Sequence, residues 1–234
     1  MRNPIVILGG MGPQASLRFH QLLIEKSGAH TSDGDGFPHI VHFSLPVADF
    51  IHDEHAKQAA IYTLQGLTRV IQELQPSQLT LACNTAHLLV KNVKLLQGAP
   101  FMSMLDDVAV ALKNDGVRRI GLMASPVTIQ TGLYRAVLRK KGIGLILPDE
   151  AQKSQLEVAI RATIAGRARV TEAKTLATIA QSLTARGAEA ILLGCTELPL
   201  IFPFEKSPMP IYDCLDIYAN AVIERYYLYN RSIR

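Results

Sequence analysis

The sequence predicts an α/β protein of two doubly wound lobes, each a parallel sheet with helices on both faces. Two observations carry this. Short, almost wholly apolar runs alternate with longer segments in which apolar residues recur at helical spacing. The alternation then restarts after Arg119, as a second run of the same kind. Strands separated by whole helices pair in parallel, because the crossover returns the chain to the same end of the sheet. A length of 234 residues agrees with two small domains.

In the first run, Pro4–Leu8 reads as a buried strand stopped by Gly9-Gly10-Met11-Gly12. Pro13 suits a first helical turn, and Ala15, Phe19, Leu22 and Leu23 form the apolar stripe of the helix that follows. Thr31–Gly36 is polar and glycine-rich and predicts a mobile loop. His39–Leu45 is a second strand, and Ala56, Ala60, Leu64, Leu67 and Ile71 mark one helix from His55 to Leu74. Gln78–Ala82 is a strand, Thr85–Leu96 a helix, Phe101–Met104 a short strand and 106–114 a helix.

The second run holds strands at Ile120–Ala124, Gly144–Leu147 and Ala190–Leu193. Helices cover 127–141, 150–165 and 171–186, each followed by a glycine (Gly142, Gly166, Gly187). Pro208-Met209-Pro210 breaks the chain before Ile211-Tyr212 and a closing helix from Asp213 to Tyr229. That helix is expected to return to the first lobe. The expected division is therefore 1–104 plus 208–234 for the first lobe and 105–207 for the second.

Composition excludes several classes. Apolar residues make up 48% and charged residues 19%, a globular balance, and no apolar run reaches membrane-spanning length. The formal charge of +4 is spread along the chain without a basic stripe, which argues against nucleic acid as a partner. Met1-Arg2 leads straight into Pro4–Leu8, too short for the apolar core of a signal peptide. Three cysteines cannot make a disulfide framework, and the expected location is the cytoplasm.

One feature recurs. Gln78–Ala82 runs into Cys83-Asn84-Thr85-Ala86-His87, and Ala190–Gly194 runs into Cys195-Thr196-Glu197-Leu198-Pro199. Each lobe thus delivers a cysteine at the carboxyl end of a buried strand, where parallel sheets bind ligands. A lone cysteine there is an ordinary packing residue, as Cys214 is expected to be, but a matched pair points to chemistry. No spacing around either suits a metal, and redox pairs usually lie close in sequence. Acid–base work remains: across a cleft, a thiolate on one side removes a proton and a thiol on the other donates one. Thiols suit this because their reference pKa, about 8.5, is readily lowered toward neutrality. Asn84, Thr85 and Thr196 stand where hydroxyl and amide donors can hold a carboxylate, although the same residue types also cap helices.

Gly9-Gly10-Met11-Gly12-Pro13, Cys83-Asn84-Thr85-Ala86-His87 and Gly194-Cys195-Thr196-Glu197-Leu198 together resemble the aspartate/glutamate racemase family, in order and separation, over nearly the whole chain. The resemblance implies two pseudo-symmetric lobes with the active site in the cleft between them. It implies catalysis by one cysteine from each lobe, Cys83 and Cys195, with neither pyridoxal phosphate nor metal. Asn84, Thr85 and Thr196 would hold the α-carboxylate of a small amino-acid substrate, Met11 would line the pocket, and the chain would form a homodimer. The arginine that many aspartate racemases carry after the second strand is absent from Pro46–His52, and Ile164 stands where a lysine is common. Arg161, three residues earlier, is the candidate substitute, weighed against a solvated surface arginine. The alternatives are a broad-specificity amino-acid racemase of the same family, a hydantoin racemase relative, and a catalytically silent two-lobe binding protein.

The remaining motifs have plainer readings. The glycine loop lacks the spacing of a nucleotide-binding fingerprint. His52, Asp53, Glu54 and His55 read as a solvated helix start in preference to a metal cluster. Tyr226-Tyr227-Leu228-Tyr229 reads as core and interface edge, and His87 either tunes Cys83 or packs.

Overall fold

Ile5–Gly9 forms the first strand, β1, and every residue in it is buried, because its sheet is covered on both faces. The computed structural model describes residues 3–31, 36–47, 53–98, 100–207 and 209–231. It divides into two compact units, Met1–Met104 with Tyr218–Arg234, and Leu105–Ile217.

In the first unit, β1 leads to α1 (Pro13–Thr31), β2 (Ile40–Ser44), α2 (Glu54–Gly66), α3 (Thr68–Leu74), β3 (Gln78–Leu81), α4 (Leu95–Gly98) and β4 (Phe101–Met102). The strands form one parallel sheet in the order β2-β1-β3-β4. Pro13 opens α1, and Ala15, Phe19, Leu22 and Leu23 are buried as the stripe requires. The core on one face gathers Val6, Leu8, Leu64, Ile71, Leu79 and Leu81, with Cys83 at its edge. Phe19 stacks on Tyr218 of the closing helix at 4.9 Å.

In the first unit, two predicted helices are interrupted. The segment 55–74 breaks at Gly66-Leu67, where Leu67 caps α2 and the Thr68 hydroxyl donates to the Gln65 carbonyl at 2.6 Å to start α3. The segment Thr85–Leu96 is a 3₁₀ stretch over Thr85–Asn92 followed by the short α4. Its cause is local. The Cys83 carbonyl, which an α-turn would bond to the His87 N–H, meets the His87 ring instead. The His87 N–H donates to Asn84 O at 3.1 Å, a three-residue turn. Positions 32–35 of the expected mobile loop and positions 48–52 lie outside the described residues.

The α5 helix (Met104–Asn114) leads into the second unit. There follow β5 (Arg119–Met123), α6 (Pro126–Gln130), α7 (Leu133–Lys140), β6 (Gly144–Ile146), α8 (Glu150–Ile164), α9 (Val170–Ala185), β7 (Ala190–Leu193), β8 (Ile211–Asp213) and α10 (Cys214–Arg231). Again the sheet is parallel, in the equivalent order β6-β5-β7-β8. The helix expected over 127–141 divides at Gly132, whose φ of 67° is a left-handed conformation that glycine adopts freely.

The expected return at residue 208 moves to 218. Ile211–Asp213 pairs with β7, Ile191 opposite Ile211 and Leu193 opposite Asp213, so the ladder of β7 keeps this segment in the second unit. Only the later part of α10, from Tyr218, belongs to the first. There Tyr226 and Tyr227 are buried, and the Tyr227 hydroxyl donates to Gly36 O at 2.7 Å. Leu228 is exposed. Among the described residues, no helix is long and apolar enough to cross a membrane.

Candidate active site

Both strand-end cysteines sit at the carboxyl ends of inner strands, next to the first strand of each sheet. In the first unit β3 ends at Leu81 and Ala82 leads to Cys83, 8% exposed. Asn84 and Thr85 follow, both buried, at the start of the 3₁₀ stretch. His87 secures this corner from both ring nitrogens. Its Nδ1 lies 2.9 Å from the Cys83 carbonyl, and the Met104 N–H donates to its Nε2 at 3.2 Å. An Nε2 that accepts leaves the proton on Nδ1, so the ring is neutral and donates to Cys83 O. The choice between tuning and packing thus resolves into a backbone clamp.

Beside this corner, the glycine loop brings the ends of β1 and β2 together. A Cβ on Gly9 would lie 2.5 Å from Ser16 Cβ and 2.6 Å from His42 Nε2, and one on Gly10 (φ 92°) would meet the Leu45 backbone. Leu45 N–H donates to Gly9 O at 3.1 Å, while Ser16 Oγ accepts from Gly10 N–H at 3.1 Å and donates to Pro13 O at 3.0 Å. This packing is the physical reason for two adjacent glycines. Met11, Leu45 and Val47 pack against the cluster that includes Cys83, giving the corner an apolar flank. His42 is held below the usual histidine range, first by burial and then by the neighbouring His20 ring, 5.6 Å away.

In the second unit β7 ends at Leu193, and Gly194 leads to Cys195, also 8% exposed. A Cβ on Gly194 would lie 2.6 Å from Leu122 Cδ1 and 2.9 Å from the Tyr134 ring, so only glycine lets the strand end lie on that ring. The Cys195 thiol donates to Glu197 Oε2 at 3.1 Å, and the Thr196 hydroxyl donates to the same oxygen at 2.9 Å. Thr196 and Glu197 are both buried. Tyr134 is fully buried, and burial pushes its hydroxyl well above the ordinary tyrosine value. Cys214, Cys195 and Asp213 add to that shift, and the hydroxyl shares a hydrogen bond with Cys214. Cys214 therefore packs, as expected, but through a polar contact. Asp213 Oδ1 caps the last helix by accepting from Leu215 N–H at 2.9 Å.

The sequence-derived candidates fall into two groups. Cys83, Asn84 and Thr85, with Met11 on the same core, belong to one unit; Cys195 and Thr196 belong to the other. Arg161 lies on α8 in the second unit. Its guanidinium donates to Glu157 Oε1 at 3.0 and 2.9 Å, with its side chain 50% exposed, the pairing of a helix-surface arginine. Asp53 caps α2 and Glu54 pairs with Lys57, as a solvated helix start should, while His52 lies outside the described residues. No group of metal-binding side chains occurs among the described residues. Two features lie outside the predicted set of site residues. Glu197 stands in the sequence only as part of the Gly-Cys-Thr-Glu-Leu motif. Ser125, which caps α6 and donates to the Thr128 hydroxyl at 3.0 Å, was legible only as Ser-Pro-x-Thr after a strand.

Known proteins share this fold. The chain is 31% identical over 134 residues to an uncharacterized protein in the pnlA 3′ region of Pectobacterium carotovorum subsp. carotovorum, covering 56% of this chain and 89% of that protein. The crystal structure of an aspartate racemase homologue from Pyrococcus horikoshii OT3 superposes with a TM-score of 0.79 at 23% identity, over 96% of this chain and 99% of the other. The aspartate racemase of Picrophilus torridus gives a TM-score of 0.80 at 23% identity, over 96% of this chain and 94% of the other. At such identities these structures speak to the fold. The family model described as Asp/Glu/hydantoin racemase matches residues 8–222. By that match over nearly its whole length, the chain belongs to the Asp/Glu/hydantoin racemase family and is an isomerase.

Proposed function

We propose that this chain is a cofactor-independent amino-acid racemase that inverts the α-carbon by a two-base mechanism, with Cys83 and Cys195 as the bases. The observation that carries the reading is the delivery, once in each unit, of a buried free thiol at the end of an inner parallel strand. On this reading the units close on one substrate with a sulfur on each face of its α-carbon. One thiolate takes the α-proton as the other thiol donates to the opposite face, and the two sulfurs exchange protonation states. Neither step needs an electron sink. The charge that develops on the α-carboxylate is spread over donors, for which Asn84, Thr85 and Thr196 are placed directly after the cysteines. Met11 supplies an apolar wall.

The substrate is a small amino acid of the aspartate/glutamate type, with a broad-specificity racemase as the second reading. What favours the second is the absence of Lys and Arg from Pro46–His52, together with the commitment of Arg161 to Glu157. We therefore leave Arg161 out of the substrate-binding set. Three free cysteines fit a reducing, cytoplasmic setting, and a homodimer is the assembly we propose.

The test is deuterium wash-in. Purified protein is incubated in D₂O with each enantiomer of aspartate, glutamate, a panel of neutral amino acids and a 5-substituted hydantoin. Deuterium at the α-carbon of an amino acid, with loss of optical rotation, supports the reading. Exchange on the hydantoin alone moves the substrate class, and no exchange by folded protein overturns the reading.

A further inference from the structure

The two cysteines stand in unequal electrostatic settings. After Cys83 come Asn84 and Thr85, both uncharged; after Cys195 come Thr196 and the buried acid Glu197. One Glu197 oxygen gathers both the Cys195 thiol and the Thr196 hydroxyl. If Cys195 ionised there, two anions would lie 3.1 Å apart in a buried site, an arrangement that strongly disfavours the second charge. At neutral pH the proton therefore stays on sulfur.

We propose that Glu197 is a positioning residue that holds Cys195 as the thiol, making Cys83 the standing base and Cys195 the standing acid of the resting enzyme. This rests on the two-base reading above and adds a polarity to it. The free enzyme is then ready for the enantiomer whose α-hydrogen meets Cys83. In that turnover Cys83 gains the α-proton and Cys195 loses its own to the carbon. Water then removes the proton from Cys83 and returns one to Cys195. Enantiomers are equal in energy, so kcat/KM is equal in the two directions. The polarity must surface as kcat and KM differing together. Among the described residues, Tyr134 interacts with Cys195, and Cys214 and Asp213 in turn interact with Tyr134. A Glu197 substitution removes none of them, so they are common to both proteins compared.

The experiment uses the full chain and needs no substrate. Iodoacetamide labelling, resolved cysteine by cysteine by mass spectrometry across a pH series, gives a midpoint for each thiol that does not depend on its accessibility. Cys195 is expected to ionise at higher pH than Cys83. Glu197→Gln should speed Cys195 labelling at neutral pH by at least about tenfold, while Cys83 stays within about twofold. In steady-state kinetics, Glu197→Gln should shrink the paired kcat and KM difference between enantiomers. A Cys195 midpoint at or below that of Cys83, or one unmoved by Glu197→Gln, overturns the assignment. If the variant does not fold, the order of midpoints in the unsubstituted chain still decides it. An absence of racemisation overturns the proposed function and leaves the labelling result standing, so the two failures are distinguishable.

Discussion

The His87 ring holds the carbonyl of Cys83 at 2.9 Å, from one turn further along the chain. The same ring receives the Met104 N–H, so a single imidazole ties the base of the reactive corner to the start of α5. Replacing it with phenylalanine leaves a buried carbonyl and a buried N–H without these partners. His87→Phe should lower stability by about 2–6 kcal/mol in urea unfolding, from one to three for each of the two unpaired groups. It should also reduce kcat more than it raises KM, because the Cys83 backbone loses its clamp.

Cys83→Ser and Cys195→Ser exchange a thiol for a hydroxyl that does not ionise near neutrality. Each should lower racemisation by at least about a hundredfold, the lower range of positioned acid–base catalysis. Optical rotation measured from each pure enantiomer checks this, and two-way activity in either variant defeats the two-base scheme.

Gly194→Ala places a methyl group 2.6 Å from Leu122 Cδ1 and 2.9 Å from the Tyr134 ring. Both neighbours are buried and have little room to yield. The expected loss is about 1–3 kcal/mol, read as a lower urea midpoint, with a fall in kcat because Cys195 is the next residue.

His42 is partly buried and favours its neutral form, with its pKa held below the usual value of 6.5. The unfolded chain takes up that proton more readily than the folded one. His42 therefore makes stability fall as pH drops through 6.5 toward its lower folded value, and makes no difference above that window. Urea midpoints measured across this range should fall with acid in the unsubstituted chain and fall less in His42→Gln. Equal acid sensitivity would show that His42 is not a source of the loss.

Arg161→Ala removes an exposed ion pair with Glu157. Its stability effect should not exceed about 0.5 kcal/mol, and KM for acidic amino acids should be unchanged. A rise in KM confined to aspartate and glutamate would return Arg161 to the substrate-binding set.

Much of the molecule was legible because the relevant forces are local or periodic. Ile5–Leu8 and Ile191–Leu193 are apolar throughout, which is how strands buried on both faces must read. Pro13 and Gly132 act through their own backbone preferences. The 3₁₀ stretch after Cys83 was not legible, because it depends on a ring bond that competes with the α-turn. The boundary at 218 was hidden too. Pro208 and Pro210 mark a break, but whether β8 pairs with β7 or joins the other sheet is a question of distant hydrogen bonds.

The sequence by itself determined the class of fold, the order of the strands in the chain and the two strand-end cysteines with their neighbours. These follow from side-chain polarity, repeat period and turn chemistry, which act over a few residues. Tertiary structure alone decided that His87 clamps Cys83 O, that Gly194 lies on the Tyr134 ring, and that one Glu197 oxygen receives both Cys195 and Thr196. Those relations depend on rotamers and on backbone brought together by packing. A burial-driven hydrogen bond takes its direction from the folded surroundings, and no local pattern encodes it.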